Sequence, residues 1–229
     1  MKTAVIIPAA GSGTRFGESI PKALINLAGL PMVRWSAKAF CGIEQITSII
    51  VLTPDCYETE FSTALENLDI VPIISRGGST RAESVKIGVS LLPDDCKLVA
   101  IHDAARPLIT TEDIRAVLEV AETTGAATLA HPVSDTLKTV EEKIILNTLD
   151  RSKLWAVQTP QVFHRDIYAN ALQSSFSETA TDDCALVEQS GHSVRVVPGS
   201  RINLKVTYPE DKIIVEAILK QLPKGFTCE

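Results

Sequence analysis

Short apolar runs alternate with amphipathic stretches along most of the chain. Thr3–Pro8 is a β-rich apolar run that leads into a Gly/Ser loop. Met32–Phe40 reads as a helix, Ser48–Thr53 as a strand and Asp55–Leu68 as a helix. Ile70–Ile74 reads as a strand, Thr80–Leu91 as a helix and Leu98–His102 as a strand. Glu112–Thr123 then reads as a helix and Ala126–Ala130 as a strand. Thr80 and Glu83 stand at capping-box spacing, in which hydroxyl and carboxylate satisfy the free amides of a helix start. The β-α-β-α order predicts a mostly parallel sheet with helices on both faces. Ligands in such sheets bind beyond the carboxyl ends of the strands. The loops after Pro8, Ile74 and His102 are therefore expected to open together on one edge.

The rhythm breaks from about Val133 to Val157. Thr136–Ile145 is polar and β-branched, and Leu146–Trp155 mixes charged and apolar residues. This segment predicts an extended hairpin or arm rather than another βα unit. Beyond it, Arg165–Ser174 and Asp182–Gln189 read as helices, Ser193–Val197 and Asn203–Val206 as strands, and Pro209–Leu222 as a closing helix. Thr207 and Glu210 again stand at capping-box spacing. The expected architecture is α/β and Rossmann-like: one domain over residues 1–229, with a β-arm inserted at about 133–157.

Composition narrows the classes. The chain has 229 residues, 45% of them hydrophobic, enough to bury a core and too apolar for disorder. No apolar run approaches the roughly 20 residues that span a bilayer. The N-terminus runs straight into a strand-like segment, so no secretory leader is expected. The chain stops shortly after its last predicted helix, so no fused second enzyme is expected. Cysteines at 41, 56, 96, 184 and 228 show no paired spacing, which suits a reducing compartment and buried apolar roles. A cytoplasmic location is expected, or a plastid stroma for a processed form. The formal net charge of −6 disfavours a nucleic-acid partner. It also means that a site for an anionic ligand must gather its cations locally.

Three loops carry unusual residues. Pro8-Ala9-Ala10-Gly11-Ser12-Gly13-Thr14-Arg15-Phe16-Gly17 follows the first strand. It lacks the Lys-Ser/Thr of a P-loop, and Phe16 occupies the third glycine position of a dinucleotide fingerprint. Small residues still let backbone amides approach phosphates, and Arg15 and Lys22 add charge. Arg76-Gly77-Gly78-Ser79-Thr80-Arg81-Ala82-Glu83-Ser84-Val85 places a Gly-Gly turn before a capped helix, whose start favours anions and polar ligand edges. His102-Asp103-Ala104-Ala105-Arg106-Pro107 puts an acid just after an apolar strand, where a magnesium ligand would sit. His102 is expected to pack or to orient Asp103. Trp35 and Trp155 read as packing residues.

These motifs, in order, resemble the 2-C-methyl-D-erythritol 4-phosphate cytidylyltransferase family. Pro21-Lys22, D-T-L-K at 135–138, D-R at 150–151, Q-T-P-Q at 158–161, T-D-D at 181–183 and N-L-K-V-T at 203–207 complete the match. Each motif alone is weak; the joint register over almost the whole chain is specific. The resemblance implies that a polyol phosphate attacks the α-phosphorus of CTP with magnesium, or another hard divalent cation, bound and pyrophosphate leaving. No covalent intermediate is implied, so no nucleophilic side chain is needed, and catalysis becomes positioning and charge stabilisation.

The same resemblance implies residue roles. Arg15 and Lys22 stabilise the transition state. Ala9, Ala10 and Gly11 line the nucleotide, and Gly78 and Ser84 match the positions that read cytosine. Asp103 matches the metal-binding aspartate. Asp103, Arg106, Thr136, Arg151, Thr159, Thr181 and Lys205 match the acceptor site. The arm is implied to build a homodimer in which Thr136 and Arg151 serve the neighbouring subunit. Two alternatives stay open on sequence alone: a ribitol 5-phosphate cytidylyltransferase, and a non-catalytic nucleotide sensor on the same fold. The joint presence of Arg15, Lys22 and Asp103 speaks against the sensor, because affinity alone needs no transition-state charge stabilisation.

Overall fold

The computed structural model describes residues 1–11, 20–173, 180 and 182–221. Its elements are β1 (Thr3–Pro8), β2 (Asn26–Leu27), β3 (Leu30–Pro31), α1 (Met32–Lys38), β4 (Ile46–Thr53), α2 (Glu58–Ala64), β5 (Ile73–Arg76), α3 (Arg81–Ser90), β6 (Leu98–Ile101) and α4 (Thr111–Thr124). They continue with β7 (Ala126–Pro132), β8 (Lys138–Glu141), β9 (Ile144–Thr148), β10 (Trp155–His164), α5 (Arg165–Leu172), α6 (Asp183–Gln189), β11 (Arg195–Pro198) and α7 (Pro209–Gln221).

Seven strands form one sheet in the order β11-β7-β10-β6-β1-β4-β5. All neighbours pair in parallel except β10, which runs antiparallel between β6 and β7. The central strands are apolar throughout because both faces are covered. On one face Val5, Ile7, Ile49 and Val51 pack with Val33, Phe61, Ile114 and Val117 of α1, α2 and α4. On the other, Ala4, Ile6, Ile50 and Leu52 pack with Val85, Tyr168 and Val187 of α3, α5 and α6. Alternate residues of one strand thus feed opposite layers. Contact is close where α3 crosses β1: a Cβ on Gly88 would stand 2.6 Å from a methyl of Ile6. A third cluster seats Val215 and Leu219 of α7 on Leu27, Met32 and Val206.

The α/β reading holds, with corrections at its edges. Asp55–Leu68 shortens to the helix Glu58–Ala64, with Cys56 and Asn67 beyond its two ends at left-handed φ of 64° and 58°. Cys56 is exposed, against the expectation of burial, whereas Cys41, Cys96 and Cys184 are buried; Cys228 lies outside the described residues. The strand expected at Ile70–Ile74 sits at Ile73–Arg76, and so delivers its last residue directly to Gly77. Asn203–Val206 forms no strand; the segment is irregular and ties Val206 N to Ala105 O. The α3 cap is present, with the Thr80 hydroxyl accepting from Glu83 N. The Thr207–Glu210 box is replaced by Asp211, whose carboxylate accepts from Thr207 N and Tyr208 N.

Three strands, β2, β3 and β10, were not foreseen. Residues 26–31 make a tight hairpin, with Ala28 and Gly29 at positive φ. The larger omission is β10, which fills the slot between β6 and β7 and carries Gln158 and Thr159. Within the span expected to form an arm, β8 and β9 pair as a separate two-stranded sheet. Trp155 at its base is 40% exposed rather than packed, while Trp35 packs as expected and donates its indole N–H to Leu27 O.

Candidate functional site

The carboxyl ends of β1, β5 and β6 open into one cavity of about 650 Å³. Its lining includes Ala9, Ala10, Gly11, Lys22, Gly78, Ser84, Asp103 and Lys205, eight of the residues singled out in the sequence. Among the described residues, four cationic side chains line it (Lys22, Arg76, Arg81 and Lys205) against two acids, Asp55 and Asp103. A chain of net charge −6 therefore does concentrate positive charge where an anionic ligand would need it.

The Gly-Gly turn is held tightly from below. The Ser84 hydroxyl accepts from Gly78 N at 3.1 Å and donates to Thr80 O at 2.9 Å. The Glu83 carboxylate accepts from Ser79 N at 2.7 Å and from the Ser79 hydroxyl at 2.6 Å. A Cβ on Gly77 would come within 2.6 Å of the Ala10 methyl. The first and second loops thus touch, and only glycine permits that approach.

Asp103 sits at the centre of the charged groups. One carboxylate oxygen pairs with Lys205 Nζ at 2.7 Å, the other with Arg81 Nε at 3.3 Å. Burial acts to raise its pKa, but Arg81, then Lys205 and Arg106, hold it well below the usual carboxylate range. Its backbone amide donates to the Thr159 hydroxyl at 3.0 Å, which also meets His102 Nδ1 at 3.2 Å. His102 is wholly buried against Phe40, and its Nε2 faces Arg106 O at 3.2 Å. It supports the turn that carries Asp103, as anticipated.

Arg106 lies beside this cavity rather than in its lining. Its guanidinium donates to Asn203 O at 2.8 Å and to Val157 O at 3.4 Å. The Asn203 side chain donates to Thr159 O at 3.1 Å, and Gln158 donates to Ser200 O at 2.9 Å. This buried mesh fixes the irregular segment that sends Lys205 over Asp103. Lys22 Nζ donates to Val206 O at 2.9 Å in the same segment.

Thr136 and Arg151 are exposed on and beside the hairpin, outside the cavity lining. The Arg151 guanidinium donates to Ser134 O. Arg15 and Thr181 lie outside the described residues. Arg81 was overlooked, although a signal existed. A cation at the first position of a helix opposes the helix dipole, so it should have carboxylate partners. It has two: Asp103, and Asp183 at 2.7 Å from Nη2.

A family model described as 2-C-methyl-D-erythritol 4-phosphate cytidylyltransferase matches residues 3–221. The chain belongs to that family. The cytidylyltransferase of Caldanaerobacter subterraneus is 40% identical, over 96% of this chain and all of that relative. The chloroplastic cytidylyltransferase of rice is 36% identical, over 95% of this chain and 74% of its own length. The crystal structure of the Thermus thermophilus cytidylyltransferase superposes with a TM-score of 0.81 at 30% identity, covering 96% of this chain and 100% of that one. The cytidylyltransferase fold is therefore the one described above, with the cavity at its carboxyl edge. No helix among the described residues is long and apolar enough to cross a membrane.

Proposed function

We propose that this chain transfers the cytidylyl group of CTP to 2-C-methyl-D-erythritol 4-phosphate, in the non-mevalonate route to isoprenoids. An oxygen of the acceptor phosphate attacks the α-phosphorus. The bond from that phosphorus to the α,β-bridging oxygen breaks, pyrophosphate leaves, and 4-diphosphocytidyl-2-C-methyl-D-erythritol forms. The single observation that carries this reading is the cationic cavity built around Asp103 in a chain of this family. Relatives bearing the methylerythritol name favour that acceptor over ribitol 5-phosphate.

The residues divide by position. Ala9, Ala10 and Gly11 admit the triphosphate, and the Gly77–Ser84 turn meets the base. Lys22, with Arg15, stabilises charge that builds as the bridging bond breaks, a contribution made in the transition state. Lys205, with Thr181, orients the acceptor phosphate for in-line approach, while Arg106 and Thr159 hold the segments that carry Lys205 and Asp103.

Asp103 fits a magnesium ligand. It is ionised and faces the cavity, and among the described residues there is no cluster of three metal-ligating side chains. Such a cation takes one or two carboxylates and draws its other ligands from phosphates and water. What magnesium supplies there is neutralisation of the triphosphate charge. Lys205 must then share or yield its contact with Asp103.

The hairpin supports a homodimer. Val140, Ile144, Ile145 and Leu146 are each more than half exposed, and apolar residues on a free hairpin need cover. A two-fold partner would provide it and would bring Thr136 and Arg151 to the neighbouring site.

Pyrophosphate release from CTP with each polyol phosphate tests the reading. Methylerythritol phosphate should support release and ribitol phosphate should not. Absence of release with both, at saturating magnesium, overturns it.

A further inference from the structure

The geometry points to Arg81 as a positioning residue that, braced by Asp183 and Tyr168, fixes the Asp103 carboxylate and ties the base-facing turn to the start of α6. The inference rests on the cytidylyltransferase reading and assigns residues that it leaves unused.

Arg81 opens α3, one residue after the Thr80 cap. Its planar fork bridges two acids on different loops, Nε to Asp103 at 3.3 Å and Nη2 to Asp183 at 2.7 Å. Both acids are nearly inaccessible, at 8% and 5% exposure. A buried carboxylate that loses its cation is costly, so neither acid can swing freely. Asp183 is held in turn. Tyr168 donates its hydroxyl to Asp183 Oδ1 at 2.5 Å. The Tyr168 ring stacks on Phe163 of β10, with centroids 5.0 Å apart and planes 10° from parallel. The line Phe163–Tyr168–Asp183–Arg81–Asp103 thus runs from the core to the cavity.

Lys205 also pairs with Asp103, but its side chain is 47% exposed and it is the group expected to engage the acceptor phosphate. When it does so, Arg81 is the cation that stays at Asp103. Asp183 begins α6, two residues after Thr181. Arg81 therefore joins the nucleotide half of the cavity to the segment expected to hold the acceptor.

The test is a double-mutant cycle on the full-length enzyme, with kcat and KM for both substrates, CTP binding isotherms and melting curves. Asp183→Asn should lower kcat/KM for the acceptor by about 10- to 100-fold, the usual cost of removing a buried supporting partner. Tyr168→Phe keeps the stacked ring and should give a smaller loss in the same direction. Arg81→Lys should fail to rescue, because a point charge cannot span both carboxylates. In an Arg81→Ala background, Asp183→Asn should cost little more, since its effect passes through the missing guanidinium. Additive losses, rescue by lysine, or a lowered melting temperature with wild-type kcat/KM would each overturn the inference. If Asp183→Asn does not fold, Tyr168→Phe decides, and unchanged kinetics there overturn it. Wild-type enzyme that releases no pyrophosphate from CTP refutes the functional reading instead, so the two failures are distinguishable.

Discussion

Lys205 Nζ stands 2.7 Å from the Asp103 carboxylate, although 102 positions separate the two residues in the chain. The contact exists because the irregular segment after β11 is pinned to the β6 loop, where Asn203 O accepts from Arg106 and Val206 N donates to Ala105 O. It gives Asp103 a cation on each oxygen before any ligand arrives. Replacing Asp103 by Asn should raise the magnesium concentration for half-activation by about an order of magnitude or more, because ligand charge sets the affinity of carboxylate sites. The fold should persist, since Arg81 keeps Asp183. A magnesium titration of activity identical to wild type would remove Asp103 from the metal site.

Lys22→Ala should lower kcat by about 10²–10³, the usual loss for one preorganised charge donor. CTP affinity should fall far less. Steady-state kinetics beside a CTP isotherm separates the two, and equal losses would make Lys22 a simple electrostatic anchor. Arg15→Ala should behave alike.

Gly77→Ala should impair CTP use, since the new methyl would stand 2.6 Å from Ala10 and 2.8 Å from the Ser84 hydroxyl. Gly78 differs. A side chain there would strike Glu83 at the start of α3, so Gly78→Val should disturb the helix start rather than fill the cavity directly. The expected signatures are a raised CTP KM together with a lowered melting temperature for Gly77→Ala, and a lowered melting temperature with a smaller effect on CTP KM for Gly78→Val. Normal CTP kinetics in Gly77→Ala would place the base elsewhere.

Burial lowers the His102 pKa to about 4, despite the opposing pull of Asp103. An unfolded histidine titrates near ~6.5. Between these values the unfolded chain binds a proton that the folded chain refuses, so stability should rise with pH across that window and level off above it. The swing is about 3 kcal/mol, at roughly 1.4 kcal/mol per pH unit. Denaturant unfolding in chelator between the two values measures it, and His102→Gln should remove that component of the slope. An unchanged slope in the variant would assign it to another group.

Mixing inactive subunits tests the shared site. Lys22→Ala and Arg151→Ala should each be nearly inactive as homodimers. If Arg151 acts across the interface, a mixed dimer has one site with both lesions and one with neither. Activity should return to roughly half of wild type per dimer under two-fold symmetry. No recovery after verified subunit exchange would confine Arg151 to its own chain.

The legible parts were those where local chemistry and tertiary role agree. The apolar run of β1 and the Thr80 cap each state their structure directly. β10 was missed for a physical reason. Gln158, Thr159 and Gln161 are polar residue types that usually face water, yet each is at most 4% exposed here. Gln161 reaches Asp182 and Cys184 N; Gln158 and Thr159 reach the loops around Asn203 and Asp103. Those partners come from other elements, so nothing local announces the burial. Thr136 and Arg151 are the converse: their motifs were visible, but a single chain leaves them outside the cavity.

The antiparallel place of β10 also dictates an order of assembly. β6, β1, β4 and β5 are neighbours in the sheet and are complete once the chain has passed Ile101. β7 follows in sequence but pairs with none of them; among the described residues its sheet partners are β10 and β11. During synthesis, the half that would receive the nucleotide can therefore close while β7 waits without a strand beside it. Only after the hairpin has been made can His164 bring β10 into the gap and weld the two parts together. The ribosome thus delivers the β6-β1-β4-β5 part of the sheet first and the β11-β7-β10 part last, with the hairpin emerging between β7 and β10.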